Sequence, residues 1–278
     1  MIKKLQQEVG EMAVRTKATH PLVPSITNTV TVNFVANAQL AVGGSAAMVY
    51  LPDEGVGMAK TGASMYINMG TLLPIYEETL PATGKILHEE RRPWVVDPVG
   101  IGIGALRTKI LKEFRLYRPT ILRGNASEIL ALAHLWALDR ELTGTGVRGV
   151  DATDSVEAAQ SAAIALARWT GGAVAVSGPT DLVTDGQWIA RITGGSRFFP
   201  LITGAGCSLG GVIAVYAAAG TPFVAALGGT VMFNLAGRQA EGKAIGPASF
   251  QSHFLDALYR VTSEELAAYP FHVEEAKG

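Results

Sequence analysis

Between Phe198 and Gly237 the chain runs for 40 residues without a charged side chain. So long an uncharged stretch has two physical outlets, a bilayer or the inside of a folded domain. A membrane span needs about 20 consecutive apolar residues. Here Gly204-Ala205-Gly206 and Gly220-Thr221-Pro222 cut the run into pieces of about 13 and 15 residues, too short to cross. The run is read instead as helices buried in an α/β protein, and no membrane partner is expected. Of the 278 residues 48% are hydrophobic and 17% charged, which supplies a large core and argues against disorder.

Upstream of that run, short β-branched segments alternate with helical ones. Residues 63–70, 93–100, 119–125 and 172–178 are strand-like and end in Gly, Asn or Pro. Helical patterns cover 71–90, 105–118, 127–138 and 155–169, and residues 207–268 are mostly helical. Strand and helix alternating at this spacing predict βαβ units, a largely parallel sheet and helices on both faces. Residues 181–192 break the rhythm as a hairpin, with Asp185-Gly186 at its turn. The first 23 residues follow an amphipathic helical pattern with charges throughout, unlike the apolar core of a signal peptide. No linker, charge block or repeat divides the chain, so residues 1–278 are read as one domain.

Charge and cysteine content narrow the chemistry. With 23 basic and 24 acidic residues there is no field for nucleic acid. One cysteine, Cys207, rules out an intramolecular disulfide and fits a reducing cytosol, so a cytoplasmic protein is expected. Histidines 20, 88, 134, 253 and 272 lack metal-ligand spacing. No P-loop and no Gly-x-Ser-x-Gly occurs, and the glycines of "DPVGIGIGAL" do not match the dinucleotide fingerprint.

In such sheets ligands bind beyond the carboxyl ends of the strands. Asp97, Arg123, Asn125, Glu128, Ser177 and the Gly204 turn all fall there. "RGNASE" (123–128) has two readings: an ordinary helix cap, or Arg123 on a phosphate with Asn125 and Glu128 holding hydrated Mg²⁺. "GAGC" (204–207) also has two: a packing turn with a buried thiol, or a helix N-terminus that binds an anion with Cys207 facing it. Carboxylates for a hard cation, with a guanidinium and free N–H groups for phosphates, are what phosphoryl transfer requires.

Six segments in order, "SITNTVTVNFVANAQLAVGGSAAM" (25–48), "NMGTL" (68–72), "DPVGIG" (97–102), "RGNASEI" (123–129), "GAGC" (204–207) and "GPASF" (246–250), resemble the hydroxyethylthiazole kinase family of thiamine salvage. The resemblance spans about Leu22 to Phe250 and implies a ribokinase-like three-layer αβα fold, a homotrimer with sites shared between subunits, and ATP and Mg²⁺. The substrate implied is a thiazole alcohol, 4-methyl-5-(2-hydroxyethyl)thiazole. By motif, Met48 and Gly204 would line its pocket with Asn28, Gly70 and Thr71 nearby. Arg123, Ser177 and Asn125 would contact ATP, Asp97 and Glu128 would serve Mg²⁺, and Cys207 would stand beside the attacking hydroxyl as a weak base. The helix N-terminus would lower its thiol pKa, leaving some thiolate near neutral pH. Pro24-Ser25, Ala248 and "MVYLPDEG" depart from the family pattern at the pocket edge. Kinases of this superfamily acting on hydroxymethylpyrimidine or pyridoxal are the rival reading, and a non-catalytic binder is a third.

Overall fold

Leu22 to Ile26, five residues that begin two residues after a helix, form an inner strand of the sheet even though Pro24 lies among them. The computed structural model of the chain describes residues 1–138 and 155–276; the one-domain reading of 1–278 thus includes segments outside the described residues. The first half runs α1 (Ile2–Thr19), β1 (Leu22–Ile26), α2 (Val32–Ala41), β2 (Ser45–Met48), α3 (Pro52–Thr61), β3 (Met65–Asn68), α4 (Tyr76–Glu89), β4 (Trp94–Asp97), α5 (Ala105–Tyr117), β5 (Ile121–Asn125) and α6 (Ala126–Leu135). There follow α7 (Val156–Thr170), β6 (Ala173–Ser177), β7 (Thr180–Thr184), β8 (Trp188–Thr193), α8 (Ala205–Ala217), α9 (Pro222–Glu241), α10 (Pro247–Arg260), α11 (Ser263–Ala268) and β9 (His272–Glu275).

One nine-stranded sheet, ordered β2-β1-β3-β4-β5-β6-β7-β8-β9, crosses the described residues. Its β2-to-β6 part is parallel, and β7, β8 and β9 join antiparallel. Two apolar clusters lie on its two faces. One gathers residues of α1, α2 and α8 to α11, among them Met12, Phe34, Val212, Met232 and Phe254. The other gathers α3 to α7, among them Leu80, Phe114, Leu132 and Leu166. Parallel strands covered on both faces read as continuous apolar runs, and β4 and β6 owe their sequence to that burial.

The 40-residue uncharged run becomes α8 and α9, packed on each other inside the first layer. The Gly220-Thr221-Pro222 break starts α9: Thr221 is its N-cap, accepting from the Val224 N–H, and Pro222 opens the helix. Among the described residues no helix is long and apolar enough to cross a membrane.

Two expected boundaries move. The amphipathic pattern over residues 1–23 stops at Thr19, because His20 turns left-handed (φ 46°) before Pro21 and the chain then enters β1. The helix expected from Thr71 starts at Tyr76, since Pro74 and the turns before it interrupt the helical ladder. The hairpin forms as expected: Asp185 Oδ1 accepts from the N–H groups of Gln187 and Trp188 at 2.9 and 2.7 Å.

Candidate active site

Strand register brings the polar strand ends together. Asn68 on β3 pairs with Asp97 on β4, and Asn125 on β5 pairs with Ser177 on β6. Arg123 sits two residues before the end of β5, deeply buried among them. Its Nη1 donates to Asp97 Oδ2 at 3.1 Å and its Nη2 to Ser177 Oγ at 2.9 Å. The Tyr66 hydroxyl donates to the same Asp97 oxygen at 3.1 Å and accepts from Asn68 Nδ2 at 2.8 Å. Asn68 Oδ1 in turn accepts from Asn28 Nδ2 at 3.0 Å and from the Gly70 N–H at 2.9 Å. Asn28 Nδ2 also reaches Cys207 Sγ at 3.5 Å. An unbroken relay thus runs from the half-buried thiol through buried Asn28, Asn68, Tyr66, Asp97 and Arg123 to half-buried Ser177.

The glycine turn completes the pocket. Gly204, N-cap of α8, has φ 88°, a conformation that side chains resist, and a β-carbon there would lie 2.7 Å from Thr31 Cγ2. Gly206 is needed for a different reason. A β-carbon on it would stand 2.8 Å from Arg123 Nη1, so its missing side chain lets the guanidinium lie against the first turn of α8. The N–H groups of Ala205, Gly206 and Cys207 are three of the first-turn donors of α8 that have no partner within the helix.

Burial sets the ionisation states. Desolvation pushes Asp97 up to about 6, opposed by the attraction and hydrogen bond of Arg123, so it remains a carboxylate at neutral pH. Burial works against the Arg123 charge, but Asp97 and Glu128 outweigh it and hold the guanidinium protonated. Burial and the Asp97 carboxylate keep Tyr66 a phenol, fit to donate. Cys207 corrects the sequence reading. Burial, followed by the Asp97 charge, raises its thiol above the ordinary value, and Arg123 offsets only part of that. A largely desolvated thiol near a carboxylate is mostly protonated despite its place at a helix N-terminus.

"RGNASE" is a helix cap in the structure, whatever else it does. Asn125 Oδ1 accepts from the Glu128 N–H and Glu128 Oε2 accepts from the Asn125 N–H, both at 2.9 Å. Among the described residues no three His, Cys, Asp or Glu side chains gather as a metal cluster. Yet Asp97 Oδ1 is buried with no hydrogen-bond partner, and Glu128 lies close enough to raise the Asp97 pKa. Two carboxylates with one orphaned oxygen suit Mg²⁺, which keeps waters and takes its remaining ligands from substrate phosphates.

The expected alcohol-side residues divide. Asn28 and Gly70 adjoin each other and the relay; a β-carbon on Gly70 would lie 2.7 Å from Asn28 Nδ2. Met48 closes β2, in register with Ser25 of β1, and is half-buried. Thr71 is exposed and makes no hydrogen bond to a described residue, so the structure leaves it at the margin. A cavity of about 500 Å³ opens beside Arg123, Ser177 and Gly206, walled by Phe199 and Phe233. Asn125 and Ser177 also border a second cavity, of about 490 Å³.

Sequence reasoning missed Tyr66 and Asn68. Asn68 was recoverable, as a polar residue closing the apolar strand "MYIN" at the edge where ligands bind. Tyr66 carried no signal: within a buried strand, a tyrosine looks like core.

The model of the hydroxyethylthiazole kinase family matches residues 14–264. Hydroxyethylthiazole kinase from Bifidobacterium adolescentis is 49% identical over 274 residues, covering 95% of this chain and 93% of that protein. Its counterpart from Bifidobacterium longum strain DJO10A is 46% identical over 281 residues, 95% and 90% of the two chains. The solved hydroxyethylthiazole kinase protein of Pyrococcus horikoshii OT3 superposes with a TM-score of 0.84 at 30% identity, over 97% of this chain and 99% of that one. Pyridoxal kinase from Staphylococcus aureus, solved with ADP, reaches a TM-score of 0.61 over 92% and 99% of the two chains; its 16% identity speaks for the fold alone. The fold is that of the ribokinase-like kinases, and the chain belongs to the hydroxyethylthiazole kinase family.

Proposed function

We propose that this enzyme transfers the γ-phosphoryl group of ATP to the side-chain hydroxyl of 4-methyl-5-(2-hydroxyethyl)thiazole. The observation that carries the reading is the relay from Cys207 to Arg123 at the carboxyl edge of the sheet, beside a cavity large enough for a nucleotide. In this reading Arg123 and Ser177 hold the phosphates, and the N–H groups at the start of α8 face the transferring phosphoryl as its charge redistributes. Asn125 contributes at the nucleotide's edge, beside its role as a cap.

Asp97 through its free Oδ1, and Glu128, would hold Mg²⁺, which when bound neutralises charge on the phosphate oxygens. The alcohol lies between Cys207, Asn28, Gly70 and Gly204, with Met48 and Thr71 at the rim. Its oxygen forms the new bond to phosphorus as the bond to the ADP oxygen breaks. In a loose transition state the hydroxyl proton leaves late. A thiol that is mostly un-ionised therefore serves chiefly by orienting the hydroxyl, and its thiolate fraction takes the proton.

The enzyme acts as a cytoplasmic homotrimer with sites shared between subunits. Supporting this, residues 25–52 carry no charge, and within them Val30, Leu40 and Leu51 are exposed in the lone chain. Incubation with ATP, Mg²⁺ and the thiazole alcohol is expected to release ADP only when all three are present. ADP release independent of the alcohol would contradict the proposal.

A further inference from the structure

The cavity beside Arg123 has a polar pair on its wall that the phosphoryl-transfer chemistry does not use. Asp181, at the start of β7, and Asn234, on α9, both line it. Asn234 is 5% exposed. Its Nδ2 donates to Asp181 Oδ2 at 2.8 Å, while the Gly178 N–H donates to Asp181 Oδ1 at 2.9 Å. A carboxylate only accepts, so Asp181 fixes which way the Asn234 amide faces. One of the two amide N–H donors is taken by Asp181. The carbonyl side, Oδ1, has no partner among the described residues, and it lies 3.2 Å from where a β-carbon on Gly195 would stand, on the cavity wall.

What remains is a preset acceptor facing the cavity, beside the aromatic rings of Phe199 and Phe233. A flat heterocycle suits the rings, and an exocyclic amine suits the acceptor. A base that fills the cavity displaces water from Oδ1, so a ligand without the amine forfeits that hydrogen bond and replaces it with nothing. Sites built around a buried polar group discriminate strongly against ligands that lack its partner. We propose that Asn234, held in orientation by Asp181, selects the base of the nucleotide by accepting a hydrogen bond from the 6-amino group of a purine. The proposal rests on the kinase reading above and adds to it the residue that reads the base.

The test compares ATP with purine riboside triphosphate, which differs only in lacking the 6-amino group. Each is titrated calorimetrically into the full-length protein with Mg²⁺ and no alcohol. The wild-type protein is expected to bind ATP about tenfold or more tighter. Asn234→Ala is expected to bring the two within about threefold, chiefly by weakening ATP. Asp181→Asn, whose own amide can pair with Asn234 in either orientation, is expected to lose most of the preference as well, which keeps the idea testable should Asn234→Ala fold poorly. Equal affinities in the wild type, or a preference that survives in a folded Asn234→Ala, would overturn the assignment while leaving the kinase reading intact. Binding of neither nucleotide would overturn both.

Discussion

At the scale of single residues, Glu128 caps a helix and, in the proposed mechanism, also serves the metal. Its backbone and carboxylate close the capping box with Asn125. Glutamine serves that box as well as glutamate. Glu128→Gln therefore keeps the cap and removes the charge offered to the metal. We expect at least a tenfold loss in kcat/KM, about 1.4 kcal/mol of transition-state stabilisation, with little change in Tm. Kinetics and thermal melts on one preparation check this. If Glu128 is a cap alone, activity per folded molecule survives. Arg123→Ala is a poorer probe than Glu128→Gln, because Asp97 is fully buried and Arg123 nearly so. Removing the guanidinium strands a buried carboxylate, at a cost of about 3–5 kcal/mol.

Cys207 invites a second test at this scale. With its pKa raised by burial and by Asp97, the thiol should react with iodoacetamide at pH 7.5 more slowly than free cysteine does. Cys207→Ser should fold and keep measurable phosphorylation, since the donors at the start of α8 remain. Fast alkylation at neutral pH would restore the reactive-thiolate picture. A folded but wholly inactive serine variant would point to a covalent role for sulfur.

At the scale of elements, much of the βα layout was legible and some was not, for identifiable reasons. β3 to β6 announce themselves because strands buried on both faces read as apolar runs closed by Gly, Asn or Pro. β1 escaped notice because the amphipathic pattern of α1 continues past Thr19 in composition, and Pro24 argues against a strand interior. β2 is four residues, three of them small, and β9 an exposed edge, neither with a two-residue alternation to detect. The site followed the same division. The residues at strand ends, Asp97, Arg123 and Ser177, were identifiable from topology, whereas Tyr66 and Asn234 acquire a role only when neighbouring elements bring partners to them. One junction between elements carries its own prediction. Gly206→Ala would set a methyl group 2.8 Å from Arg123 Nη1, a group pinned by Asp97 and Ser177. The guanidinium must shift, so kcat/KM should fall about tenfold or more while the fold persists. Unchanged kinetics would show that Arg123 does not need its place against α8.

For the whole molecule the sheet acts as a rack. Its parallel half presents polar ends on one edge, and its antiparallel extension, with α9, walls the cavity beside Arg123. Within the uncharged segment 25–52, Val30, Leu40 and Leu51 stay exposed in a lone chain, which is why the proposed account includes self-association. Sedimentation equilibrium is expected to give three times the 29.2 kDa chain mass. An active monomer would refute the shared-site arrangement. The most direct test of the central claim is a comparison of kcat/KM for hydroxyethylthiazole, hydroxymethylpyrimidine and pyridoxal under identical ATP and Mg²⁺, with each product identified by phosphorus NMR. The account requires a phosphate monoester on the thiazole side chain, formed about a hundredfold or more faster than either alternative product. A preference for the pyrimidine or pyridoxal alcohol, or no phosphate ester at all, would contradict it.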